Sequence, residues 1–145
     1  MGKEDSDAPA LWCHAAAMTR SIFRLVLALV MVLAGINHFL SPATYVGMMP
    51  AVLPAPLLLV YVSGVAEIAG GLGLLWPVTR RAAAWGLIAL FVAVFPANLN
   101  MAINHLPLGD RPVEPWILWA RLPLQVVFIA WAWWVRLDRT KRPPL

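Results

Sequence analysis

At 145 residues the chain has room for one domain, and 61% of it is apolar. Only 12% is charged, about half the share of a water-soluble domain, and the mean hydropathy is +0.75. These values exclude an ordinary soluble protein and make the lipid bilayer the solvent and first partner. The net charge of +4 forms no basic stripe interleaved with aromatics, so nucleic acid is not expected as a partner. Cys13, the single cysteine, excludes an internal disulfide and any paired-cysteine redox or zinc motif.

Residues 1–18 hold Lys3, Glu4, Asp5 and Asp7 and lack a sustained apolar period, so an unstructured tail is expected. MGKEDS fits the short N-myristoylation pattern, and MTRSIFR from Met18 looks like an ordinary membrane-protein start. The expected domain is residues 19–136, with a basic tail over 137–145. Its first span runs from about Ile22 to Leu40, where Ser41-Pro42 ends it, because the residue before proline avoids helical geometry. Residues 41–56 are uncharged and hold four prolines. That is too apolar for a free loop, so a re-entrant or interfacial segment with Tyr45 at headgroup level is expected.

The second span, Leu57 to Trp76, has the roughly 20 residues a bilayer crossing needs. Glu67 sits near its middle, where an ionisable group is costly. Pro77, Arg80 and Arg81 form a tight basic turn. The third span is about Ala82 to Ile103, with Pro96 inside it, and the fourth about Trp116 to Val135. Arg20, Arg24, Arg80, Arg81, Arg136, Arg139, Lys141 and Arg142 fall on one side, and Arg111 on the other. The positive-inside rule then puts both termini in the cytoplasm. The expectation is an all-α integral membrane protein: an antiparallel four-helix bundle in the cytoplasmic membrane.

Most strongly polar residues of the spans fall in the outer half. His38 closes the first span, Asn98 and Asn100 lie in the third, and Arg121 in the fourth, with Gln125 one turn deeper. Ser63, Gly64, Gly70 and Gly71 share the face of Glu67, and such small residues allow close helix approach. Lipid would leave the polar groups unpaired, so they should face inward. A ligand-binding cluster of His38, Glu67, Asn98, Arg121 and Gln125 is therefore expected, with Arg121 as the natural counter-charge of Glu67. The plainer reading is an ion pair that fixes helix register, with asparagines bonding between helices. For His38 and His105 the plainer reading is polar interface residues; the sharper one is axial ligation of a haem or metal. No nucleophile motif, phosphate loop or metal-ligand spacing is present.

GINHFLSPATY, MMPAVLPAP, SGVAEIAGGLGLLWPVTRRAAAWGLIAL, VFPANLNMA and LWARLPLQ, in this order, resemble the DoxX-like family (the DoxX and MauE group) of small four-helix membrane proteins. The resemblance covers about residues 19–135, and its motifs fall on His38, Pro42, Glu67, Pro96 to Asn98, and Arg121 to Gln125. It implies a subunit or accessory of a quinone-linked membrane redox system rather than a stand-alone enzyme, and no catalytic residue carries over. Quinone is the implied cofactor, and other membrane redox subunits or a homo-oligomer are the implied partners. The alternatives are a non-enzymatic assembly or interaction partner and a binder of a small lipid-like ligand.

Overall fold

The computed structural model describes residues 8–107 and 112–137, with side chains from residue 15, and the described residues are helical without strands. The helices are α1 (Ala8–Leu40), α2 (Pro42–Met48), α3 (Pro56–Gly73), α4 (Arg80–Ile103) and α5 (Pro115–Val135). All but the short α2 are long and apolar enough to cross a membrane, α1 over Ala15–Leu40. Their outward faces carry Leu29, Leu33, Leu58, Val62, Val92 and Val126 exposed, as a lipid-facing surface requires. The chain is thus a helical membrane protein.

The four expected spans coincide with these helices. At the N-terminus, α1 begins at Ala8, ahead of the Met18 boundary expected for an unstructured tail; the stretch ALWCHAAAM is rich in strong helix formers. At the other boundary, α3 stops at Gly73 rather than Trp76. Thr79 Oγ1 donates to Gly73 O at 2.8 Å, and Arg80 Nε to Leu74 O at 3.3 Å. Arg80, a topology signal in the sequence, therefore also satisfies a carbonyl that the end of α3 leaves open. Lys3, Asp110, Arg111, Arg139, Lys141 and Arg142 lie outside the described residues.

Small residues set the closest helix contact. A Cβ on Gly35 would meet Gly64 O at 2.6 Å, and one on Gly64 would meet Gly35 O at 2.9 Å. One on Gly71 would meet Ala28 O at 2.8 Å. Ala28 thus faces Gly71 while Gly35 faces Gly64, so numbering rises along α1 as it falls along α3. Only glycine allows this approach, and toward the C-terminal end of α1 it brings His38 against the Glu67 face. α4 packs on α3 and α5, and α5 also meets α1.

Two apolar clusters form the interior. One joins Leu27, Met31, Leu74, Ala84, Leu87, Phe91, Ala132 and Val135. The other joins Met48, Met101, Ala102 and Leu118, beneath α2. α2 begins with Pro42 in the first turn, where the missing N–H costs nothing. It is tied down by Asn100 Nδ2 donating to Met48 O at 3.0 Å. The segment 41–56, expected to be re-entrant or interfacial, divides: α2 packs inward, with Met48 buried and Tyr45 half-buried, whereas residues 51–55 are exposed.

Gly64→Ala should lower thermal stability in detergent by about 1–3 kcal/mol, because its methyl would meet Gly35 O and His38 Cβ, neither of them the far end of a flexible side chain, as well as the Phe39 ring. Gly86→Ala is the control: a Cβ there meets nothing within 4 Å. It should be neutral or gain up to about 1 kcal/mol of helix propensity. A melting curve for each variant reads both outcomes.

Candidate functional site

Between the two apolar clusters lies a cavity of about 370 Å³. His38 from α1, Glu67 from α3, Asn98 from α4, and Arg121 and Gln125 from α5 all line it. The structure thus brings all five residues expected from the sequence into one space. Val60, Phe91, Val94, Leu124 and Phe128 supply apolar wall, and Thr44, Tyr45 and Met48 of α2 also line it.

The pairing inside the cavity differs from the expected one. Glu67 and Arg121 do not form an ion pair. Glu67 lies instead beside His38, with Oε2 3.4 Å from Nδ1. The cause is the glycine contact: a Cβ on Gly35 would stand 3.1 Å from Glu67 Cβ, so α1 is pressed onto the Glu67 face. His38 Nδ1 also lies 3.0 Å from Ala34 O. A carbonyl only accepts, so Nδ1 carries the hydrogen and directs it into its own helix. Glu67 Oε2 is left buried without a hydrogen-bond donor.

Arg121 has a different surrounding. Its Nη1 approaches Met101 Sδ at 3.2 Å and Met48 Sδ at 3.8 Å. Thioether sulfurs are weak acceptors, so the guanidinium is cradled rather than neutralised. No carboxylate contacts it among the described residues. Met48 reaches this point only because α2 folds inward, which α5 alone could not reveal.

The two amides close on each other. Asn98 Nδ2 donates to Gln125 Oε1 at 3.0 Å, and Gln125 Nε2 donates to Phe91 O. Pro96 inside α4 has no N–H for Val92 O, whereas Gln125 bonds the preceding carbonyl, Phe91 O.

The rim of the cavity beside α2 is aromatic. The rings of His38 and Tyr45 stack at 3.8 Å between centroids, and Asn37 Nδ2 donates to Tyr45 Oη at 2.7 Å. Tyr45, expected at headgroup level, stacks on the imidazole of His38. His105, exposed in the turn after α4 with φ 49°, does not line the cavity. The two histidines are therefore not brought together as an axial pair. Among the described residues no three His, Cys, Asp or Glu side chains converge. Tyr45, Thr44 and Met48 were missed as site residues; the uncharged, Pro-rich composition of 41–56 was the signal for them.

Gln125→Ala should cost about 1–3 kcal/mol, because Phe91 O and Asn98 Nδ2 lose their partner in a buried place. Asn98→Ala on that background should then add clearly less than it does alone. A double-mutant cycle of thermal stabilities measures the difference, and additive costs would mean that the amides act independently.

Comparison with known proteins adds a family without an activity. No curated protein and no solved structure shows a significant match. Residues 27–136 match a domain of unknown function, DUF8561, and this range holds the C-terminal part of α1, all of α2 to α5 and every residue of the cavity. The chain therefore belongs to the DUF8561 family.

Proposed function

We propose that this chain is a multi-pass protein of the cytoplasmic membrane whose cavity binds the ring of a small quinone-type molecule. It acts as a subunit or accessory of a quinone-linked redox system. One observation carries the reading: five polar side chains from four apolar helices converge on one cavity. Polar groups within a span are costly, and register alone would need fewer of them. About 370 Å³ lies within the range of small-molecule pockets. Aromatic and aliphatic walls suit a ring with an apolar tail, and the polar groups suit ring oxygens. The resemblance to the DoxX-like group supports the same direction.

In this reading the helices form an antiparallel four-helix bundle with both termini on the cytoplasmic side. Arg20 Nη1 donates to Leu137 O at 2.8 Å, joining the N-terminal half of α1 to the residues just after α5. Arg20 lies over Trp134 at 5.3 Å and Arg136 over Trp133 at 3.5 Å. This collar of cations and indoles has the composition of a cytoplasmic membrane interface.

Gentle purification followed by mass spectrometry of extracted small molecules tests the binding reading. A quinone or quinol in near-stoichiometric amount is the expected result. A stoichiometric partner protein with bulk phospholipid alone would instead support an assembly role and overturn this one. Topology has its own test, because Cys13 is the only cysteine. A membrane-impermeant maleimide should label it in inside-out vesicles and not in intact cells or spheroplasts. Labelling from outside would reverse the orientation.

A further inference from the structure

We infer that the cavity is polarised and selects the reduced, dihydroxy form of its ring ligand, one hydroxyl donating to Glu67 and an oxygen across the ring accepting from Arg121. This rests on the quinone-type reading above and goes beyond it by naming the redox form and its orientation.

The inference comes from what each wall lacks. Arg121 offers N–H donors, and its contacts among the described residues are two thioether sulfurs. Glu67 presents acceptor oxygens, and Oε2 is buried without a donor. The nearest N–H, on His38 Nδ1, is directed to Ala34 O. Both residues line the same cavity, yet they do not pair. The amides do not compensate either wall, since Asn98 and Gln125 bond to each other and to Phe91 O. One wall therefore wants a donor and another an acceptor.

Charge narrows the ligand further. With Glu67 taken as the carboxylate and the Arg121 guanidinium in the same cavity, the charges cancel, so a neutral ligand leaves it balanced. A dioxo ring presents lone pairs only and would set one of them against the carboxylate. A dihydroxy ring donates O–H to the carboxylate, while its other oxygen still offers a lone pair to Arg121. The stacked His38 and Tyr45 rings bound the cavity on its outer side.

The test uses the full chain in detergent and three probes: decylbenzoquinone, decylhydroquinone kept reduced without oxygen, and the dimethyl ether of that hydroquinone. Binding is read by calorimetry. The hydroquinone should bind about ten-fold more tightly than the quinone, the worth of one hydrogen bond to a charged group. The dimethyl ether, which cannot donate, should bind no better than the quinone. Glu67→Gln, whose amide can donate as well as accept, should remove most of the preference. Arg121→Met should weaken both redox forms alike. Equal affinity of hydroquinone and quinone for the unmodified chain would overturn the inference while leaving ring binding in place. So would a preference that Glu67→Gln leaves intact. If none of the three probes binds a chain that melts cooperatively, the quinone-type reading falls as well.

Discussion

The contact between α1 and α3 is the constraint from which the site follows. Gly35 and Gly64 let two backbones approach so closely that any side chain at either position would collide with a carbonyl. Ala28 against Gly71 repeats the contact two turns away. In lipid there is little hydrophobic gain from helix association, so such close packing is a main source of cohesion. It also decides chemistry, because it lays His38 beside Glu67 and leaves Arg121 to another part of the cavity.

The remaining helices complete what that contact begins. Phe91 O of α4 takes Gln125 from α5. Asn98 and Asn100, two residues apart on α4, serve different neighbours, the first α5 and the second α2. α2 in turn delivers Tyr45 to His38 and Met48 to Arg121. Each polar group in the spans has a protein neighbour, but the neighbours of Glu67 and Arg121 are poor hydrogen-bond partners. That residual mismatch, at two walls of one cavity, is the physical basis for reading it as a binding site. A register-fixing ion pair would have joined the two residues directly.

Much of this was legible in the residues themselves. Runs of apolar residues with prolines between them placed the four long helices, and only the ends moved: Ala8 instead of about Ile22, Gly73 instead of Trp76. Depth and the cost of polar groups in lipid picked out His38, Glu67, Asn98, Arg121 and Gln125, and all five line the cavity. Pairing was not legible. Glu67 and Arg121 lie at comparable depth and have opposite charge, but depth says nothing of which helices touch. The glycines that decide this were recognised on α3, whereas their counterpart Gly35 on α1 was not. The part played by Met48 was hidden for a different reason: a short helix between prolines has no period from which an inward face can be read.

The central claim is that a ring-bearing ligand occupies this cavity rather than the lipid-facing surface. Photo-crosslinking in native membranes tests it most directly, using a decylhydroquinone that carries a diazirine on its ring. The account predicts adducts on cavity residues such as Tyr45, Met48, Phe91 and Phe128, competed away by excess unlabelled decylhydroquinone. Adducts spread over outward-facing residues such as Leu29, Leu58, Val62 and Val126, with no competition, would contradict it.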